Sequence, residues 1–243
     1  GNYNVVVGDE AGTALTTGDN NVAVGFEALK TEDAHGDNVA VGYQALKTLN
    51  AGADAFNTAV GYQSGLSLTT GINNTFIGGF AGDALTDADN NVAMGYAALT
   101  SDTLGSKSVA IGKSALQSQN FTTATDSFNV AVGFNAGLSI TTGTINTLIG
   151  GLAGDALTTG DSNVAVGKSA LSGDTAGDRS TAIGFQALAV QNFTTNTDAY
   201  NTAVGYNAGV AVTTGTANTI VGGLAGDALT VGNNNVALGR SAL

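Results

Sequence analysis

The chain has 243 residues with no Cys, Pro or Trp, a single His, 36 Gly, and a formal net charge of −12 from 19 acidic and seven basic side chains. Without cysteine there is no disulfide framework, no thiolate nucleophile and no cysteine-based zinc site, and one histidine cannot supply a metal cage, so we expect no metal and no cofactor. The negative charge disfavours nucleic acid and anionic membrane surfaces as partners. No apolar run approaches the ~20 residues that a membrane span requires. Because no catalytic triad or phosphate-binding loop is present, we expect that the protein is not an enzyme.

A short phrase of the type Asn-Val-Ala-Val-Gly recurs along the whole chain, and we call its first residue position one. There are fourteen copies, and ten of the thirteen intervals between them are 17 residues long. Repetition at a fixed short period is typical of solenoid proteins, in which each repeat stacks on a copy of itself. Position one is occupied by Asn4, Asn21, Asn38, Asn57, Asn74, Asn91, Ser108, Asn129, Asn146, Asn163, Ser180, Asn201, Asn218 and Asn235.

The three long intervals, of 19 or 21 residues, recur every fourth copy and impose a second period of 72 residues. This period divides the chain into two complete blocks, 57–128 and 129–200, and two partial blocks, 1–56 and 201–243. We therefore expect one β-solenoid repeat domain over residues 1–243, forming a piece of a longer fibre.

Each copy is too short for a pair of helices but fits two short strands joined by turns. Positions two to four form the first strand, because two and four are mostly β-branched, and the glycine at position five turns the chain. A second strand is expected at stretches such as 66–68, before a Thr-Thr-Gly segment returns the chain. Stacking these copies predicts an all-β parallel β-solenoid, or β-roll, of about 14 coils with strands ~4.8 Å apart. Asn at position one is expected to form a ladder of amides along the stack.

The faces of the strand follow from the period of two, which points positions two and four to one side and position three to the other. We place two and four inside the coil and three outside. Position three is Ala in ten copies, as at Ala59 with Tyr62 at position six. It is large in four copies, and in three of these position six becomes Gly, which suggests one shared packing space: the pairs are Phe76 with Gly79, Leu148 with Gly151 and Ile220 with Gly223.

Large apolar side chains outside a coil need cover, and no helical segment in the sequence supplies it. We therefore predict a homo-oligomer, specifically a homotrimer around a fibre axis, in which these residues pack between chains. The alternative is that they fill a wider coil of a single chain.

The long intervals insert extra residues at one edge, at 117–128 and 189–200, and loops on a rigid scaffold commonly carry recognition. Two phenylalanines there could stack on a sugar, which predicts a cell-surface glycan or receptor as partner. The alternative is that these phenylalanines anchor the loops to the solenoid or cover a trimer edge. The candidate partner-binding residues are Asn120, Phe121, Thr122, Asn192, Phe193 and Thr194.

Three local features have competing interpretations. The stretch 78–85 resembles a calcium-binding nonapeptide, but the match is imperfect and we favour a tight turn of the solenoid. Thr pairs such as Thr141-Thr142 could form an ice-binding array, or could satisfy backbone groups at turns. The single histidine, His35, is expected to be a solvated loop residue.

The phrases Ser108-Val-Ala-Ile-Gly and Ser180-Thr-Ala-Ile-Gly resemble the Asn-Ser-Val-Ala-Ile-Gly motif of trimeric autotransporter adhesin heads. The Asn-Thr-Ala-Val-Gly-Tyr and Thr-Thr-Gly-x-x-Asn phrases are similar to repeats of phage tail fibres and fibre-like bacterial surface proteins. The resemblance implies a left-handed β-roll, three chains side by side, and attachment at a cell exterior or virion surface. We expect a structural or adhesive fibre segment, with a self-assembling extracellular filament, or a solenoid that binds ice, calcium or glycan, as alternatives.

Overall fold

The computed structural model of the chain describes all 243 residues and confirms the all-β class. Fourteen three-residue strands, one from each copy, occupy positions two to four and form the stacked parallel coils of a β-solenoid. No helix in the chain has the length and apolarity that a membrane crossing requires. The strands are β1 (Val5–Val7), β2 (Val22–Val24), β3 (Val39–Val41), β4 (Thr58–Val60), β5 (Thr75–Ile77), β6 (Val92–Met94), β7 (Gly105–Ser106), β8 (Val109–Ile111), β9 (Thr125–Asp126), β10 (Val130–Val132), β11 (Thr147–Ile149), β12 (Val164–Val166), β13 (Gly177–Asp178), β14 (Thr181–Ile183), β15 (Thr197–Asp198), β16 (Thr202–Val204), β17 (Thr219–Val221) and β18 (Val236–Leu238).

The chain divides into two compact units, Gly1–Ser127 and Phe128–Leu243, with a boundary next to the block boundary predicted after residue 128. The first unit contains the coil strands β1 to β6 and β8, and the second contains β10, β11, β12, β14, β16, β17 and β18. Within each unit every coil strand pairs in parallel with the next, and each position pairs with the same position of its neighbour, as Ala59 does with Phe76. The short pairs β7 with β9 and β13 with β15 lie at the two longer insertions.

The expected second strand is absent. Residues after the position-five glycine form consecutive turns, and the stretch 66–68 is part of them. The coil is therefore closed by one strand and a series of turns. Position nine belongs to these turns, since Leu29 and Leu46 adopt positive φ angles of 49° and 47° there.

The assignment of faces was wrong. Position three points into the coil, where Ala59, Phe76, Leu148 and Ile220 are all 0% exposed in the single chain. Positions two and four instead face outward. The physical reason is that β-branched side chains favour the strand conformation whichever face they occupy, whereas the narrow interior of the coil accepts mostly alanine.

Bulk is exchanged inside the core between positions three and nine. A Cβ added to Gly65 would lie 2.8 Å from Phe76 Cδ2, and one added to Gly82 would lie 2.7 Å from Phe76 Cε1. A Cβ at Gly154 would lie 2.7 Å from Leu148 Cδ2 in the same way. Large residues at position three therefore fill the space that leucine at position nine occupies in other coils. The alternative of a coil filled by its own chain is confirmed for these residues.

The predicted amide ladder is present, and its asparagines are buried except in the terminal coils, at Asn4 and Asn235. In the first unit Asn74 N donates to Asn57 Oδ1 at 2.9 Å, while Asn74 Nδ2 donates to the carbonyl of Ala88 at 2.7 Å. In the second unit Asn146 donates in the same way to Asn129 Oδ1 at 2.9 Å. Each side chain thus satisfies backbone groups of two coil segments, which fixes the position of the return turn relative to the strand.

Candidate interaction surface

The outer face of the sheet is an uncharged apolar surface built from positions two and four. Position four is Val, Ile, Met or Leu in every copy, and position two is Val or Thr in every copy. In coils with a neighbour on both sides, position four is still well exposed, at 37% for Ile77 and Met94, 40% for Ile149 and 39% for Ile183. A sheet with one face in the coil core and an apolar outer face is suited to contact with another apolar surface.

An aromatic column continues this surface in the first unit, beyond the position-five glycine. The rings of Phe26 and Tyr43 stack at 5.3 Å between centroids, and those of Tyr43 and Tyr62 stack at 5.0 Å. Phe80 contacts Tyr62 and Tyr96 edge to face, at 5.2 and 5.9 Å. The column therefore combines a stacked part, from Phe26 to Tyr62, with an edge-to-face part around Phe80.

Position six has the same character in the second unit. Phe185 stacks on Tyr206 with their centroids 5.4 Å apart, and Tyr206 is 58% exposed. Lys168 and Arg240 also occupy position six, so the column combines aromatic and cationic side chains in an acidic protein. This part of the surface is therefore neither purely apolar nor acidic.

Several cations outside this column are paired with carboxylates. Lys30 and Lys47 contact Glu27 at 2.5 and 2.7 Å, and their hydrogen bonds lower the pKa of Glu27 to about 2, with Lys30 contributing most. Arg179 pairs with Asp198. These cations neutralise loop carboxylates on the chain itself.

The residues predicted to pack between chains divide into two groups. Ala59, Phe76, Leu148 and Ile220 lie in the core, as described above. Tyr62 belongs to the exposed aromatic column at 49% exposure. The remaining predicted residues, which occupy position six without a side chain of their own, are Gly79, Gly151 and Gly223.

Glycine at position six admits the side chain of position seven. A Cβ on Gly79 would lie 3.7 Å from the Tyr96 ring, and the following residue, Phe80, supplies the ring that joins Tyr62 to Tyr96. The sequence suggested that side-chain volume is exchanged between positions three and six. In the structure, volume is exchanged between positions three and nine in the core, and separately between positions six and seven on the surface.

The phenylalanines of the insertions are anchors, so sugar stacking on them is contradicted. Phe121 and Phe193 are only 6% and 8% exposed. Phe121 N donates to Asp102 Oδ1 at 2.9 Å, and its carbonyl accepts from Thr103 Oγ1 at 2.8 Å. The alternative, in which they anchor the loops to the solenoid, agrees with the structure. The polar candidates beside them are exposed: Asn120, Thr122, Asn192 and Thr194.

A buried carboxylate supports each long insertion, and sequence reasoning missed it. Asp102 and Asp174, both 0% exposed, occupy position twelve in the copy before each 21-residue interval. Gln119 and Gln191 donate to them at 2.6 and 2.5 Å. The available signal was an acidic residue at position twelve, which is aliphatic in many other copies.

The Thr side chains and the acidic residue of the calcium-like stretch both form hydrogen bonds within the protein. Thr141 Oγ1 donates to the carbonyl of Thr158 at 3.2 Å, and Thr158 Oγ1 donates to that of Thr175 at 2.8 Å, which agrees with turn chemistry. In the calcium-like stretch, burial raises the pKa of Asp83, and Thr100 donates a hydrogen bond to its carboxylate. The acidic residue of that stretch thus has a partner within the protein.

The structure contains no pocket of ligand size. Comparison with protein-family models, with curated proteins and with solved structures found no significant match to this chain. The outer apolar face and the loops beside it are the candidate interaction surfaces.

Proposed function

We propose that the chain is a non-enzymatic structural segment of an extracellular or virion-surface fibre, assembled as a homotrimer through the outer face of its sheet. The observation that carries this proposal is the uncharged face formed by positions two and four, with Ile77, Met94 and Ile149 at 37 to 40% exposure. Because each of these side chains is already more than half buried in the single chain, covering its exposed remainder contributes about 0.5–1 kcal/mol. A contact repeated over several coils would accumulate a large association energy.

The partner that fits this face best is another copy of the chain. The exposed side chains recur once per coil, at the spacing of parallel strands, about 4.8 Å. Only a surface with the same spacing matches them in every coil, and a second copy has that spacing by construction. The corrected packing residues are therefore positions two and four, with Tyr62 and the position-six glycines at the margin.

Light scattering coupled to size exclusion tests this proposal. We expect a discrete mass of three chains of 23.8 kDa each, unchanged by dilution in the micromolar range. Ile149→Lys should reduce the mass to that of one chain while circular dichroism stays unchanged, because a charge then lies on the contact face. Thr142→Lys is the matched control, since Thr142 is exposed on the return loop of the second unit. A wild-type mass of one chain, or equal behaviour of both variants, would contradict the proposal.

A second candidate is a self-assembling extracellular filament. Each coil strand pairs in parallel with the next, position by position, as β4 does with β5. The same pairing could continue from one subunit to another stacked end to end. A mass that grows continuously with concentration would favour the filament over a closed trimer.

Adhesion is the finer part of the proposal. With Phe121 and Phe193 buried, a glycan or receptor would be recognised by the exposed polar residues Asn120, Thr122, Asn192 and Thr194. Binding to a glycan array that is lost in a Thr122→Ala/Thr194→Ala variant would support this role. Binding that persists in the variant would place recognition elsewhere.

A further inference from the structure

Three buried carboxylates occupy the same place in the repeat, and they allow an internal comparison. Glu32, Asp102 and Asp174 are each at position twelve of the copy that precedes a long interval, and each is 0% exposed. A buried carboxylate is costly unless several donors satisfy it. The donors differ among the three sites.

The site at Asp102 is complete with protein donors. Oδ1 accepts from the backbone N–H of Gly105 at 3.1 Å and of Phe121 at 2.9 Å, and Oδ2 accepts from Gln119 Nε2 at 2.6 Å. The side-chain amide lies at position twelve of the next copy. All three donors come from the solenoid and its insertion.

The site at Asp174 repeats this arrangement. Its donors are the backbone N–H groups of Gly177 and Phe193, both at 3.0 Å, and Gln191 Nε2 at 2.5 Å. A Cβ added to Gly177 would lie 2.1 Å from Asp174 Oδ2, so no side chain fits at that position here. The two long insertions thus share one closed design.

The site at Glu32 departs from this design in two places. Leu49 replaces the glutamine and cannot donate, so Glu32 accepts only from the backbone N–H of His35 at 3.1 Å and of Ala51 at 3.0 Å. His35 replaces the glycine, and its Nδ1 is buried without a hydrogen-bond partner, 3.5 Å from Glu32 Oε1. One side-chain donor has been lost, and an unsatisfied imidazole nitrogen has been brought to the carboxylate.

We propose that Glu32, Asp33 and His35 bind a divalent transition-metal ion of the zinc class, which replaces the missing glutamine amide. The candidate ligand atoms all lie within 4.8 Å of one another. The 3.5 Å between Nδ1 and Oε1 is close to the edge of a tetrahedron with metal–ligand bonds of about 2.1 Å, which is about 3.4 Å. An imidazole ligand favours zinc, copper or nickel over calcium and magnesium.

The surroundings suit a bound cation. Asp33 is exposed and the His35 side chain is 30% exposed, so an ion reaches the site from solvent and keeps water as a further ligand. Two carboxylates neutralise a divalent charge, and neutralisation is most valuable beside the buried Glu32. The ion would hold Glu32 in the position from which it accepts the hydrogen bond of the Ala51 N–H, in the insertion of the next coil. The site lies outside the apolar face and does not depend on the fibre proposal.

The single histidine makes the test specific to one residue. Tag-free full-length chain, stripped of metal, is titrated with zinc chloride while the ring nitrogens of His35 are followed by long-range ¹H–¹⁵N NMR. We expect saturation at one equivalent with a shift of Nδ1, a rise in the melting temperature, and no response to calcium or magnesium. His35→Gln and Asp33→Asn should each weaken zinc binding at least tenfold.

A control variant and a contradicting result complete the zinc titration. Asp87→Asn neutralises an exposed loop carboxylate in another coil and should bind zinc as the wild type does. If His35 instead forms a protonated ion pair with Glu32, both ring nitrogens will carry protons and stoichiometric zinc will leave their resonances unchanged. That result, or equal zinc affinity of wild type and His35→Gln, would overturn the proposal.

Discussion

Because side chains at positions three and nine share one space in the core, substitutions of Phe76 and Gly82 should have strongly non-additive effects on the free energy of unfolding. Phe76 is completely buried, and the three atoms nearest to a Cβ on Gly82 all belong to its ring, at 2.7, 2.8 and 3.0 Å. Gly82→Leu alone therefore overpacks the coil. Phe76→Ala alone leaves a cavity that the narrow coil cannot close.

The magnitudes follow from these contacts. Removing a buried phenylalanine side chain costs about 3–5 kcal/mol, and overpacking costs about 1–3 kcal/mol. The double variant places Ala at position three and Leu at position nine, as in the adjacent coil with Ala93 and Leu99. The backbone already suits it, because Gly82 and Leu99 have φ angles of 58° and 53°. We expect the double variant to lose about 2–3 kcal/mol, which is less than the sum of the single losses by at least about 1 kcal/mol.

Urea unfolding of the four proteins, with hydrogen exchange at the amides of β5, measures this coupling. Local exchange is needed because a repeat protein unfolds in parts, so a single global transition understates a local loss. Ile149→Ala is the control, because its side chain lies on the outer face and should show no coupling with Gly82→Leu. Additive losses in the Phe76/Gly82 double variant would refute the shared core space.

Two further predictions concern the polar groups. Asn146→Ala removes the acceptor of the Asn163 N–H, which lies 3.0 Å from Asn146 Oδ1, and should destabilise that coil by about 1–3 kcal/mol, seen as faster exchange of the Asn163 amide. Burial raises the pKa of Asp155 and Asp178 above the ordinary value of 3.8, so their contribution to stability is full below that value and is lost as pH rises through the raised values. Urea midpoints should therefore rise as the pH is lowered from 7 towards 4, and less so in Asp155→Asn.

The sequence determined the architecture because the solenoid repeats one local pattern. The glycine at position five is present in every copy, Asn at position one in twelve of the fourteen, and the 17-residue interval in ten of the thirteen, so the repeated pattern outweighs the ambiguity of any single copy. Faces were not determined, since Val and Thr at positions two and four report strand propensity and not burial. Alanine at position three was the better indicator, because a narrow interior limits side-chain volume.

The insertions were harder to interpret because their residues form hydrogen bonds with residues of the neighbouring coil, which the sequence does not show. In the sequence Phe121 has the character of an exposed recognition residue, and only the backbone contacts to Asp102 and Thr103 show that the chain turns the ring inward. Likewise, the sequence alone indicates that His35 is an isolated loop residue. Its neighbour Glu32 is recognised as a buried carboxylate only by comparison with Asp102, which occupies the same position of the repeat.

Outward-facing residues at positions two and four favour self-association more than the predicted faces would. If large residues at position three had faced outward, contact between chains would have depended on Phe76, Leu148 and Ile220, which occur once per block. The apolar residues at positions two and four occur in every coil, so each added coil extends the contact by the same amount. The free energy of such a contact therefore grows with the number of coils. A single apolar substitution should weaken the contact little, whereas a charged substitution should disrupt it. The Ile149→Lys variant tests that property directly, because its effect should exceed that of Ile149→Ala.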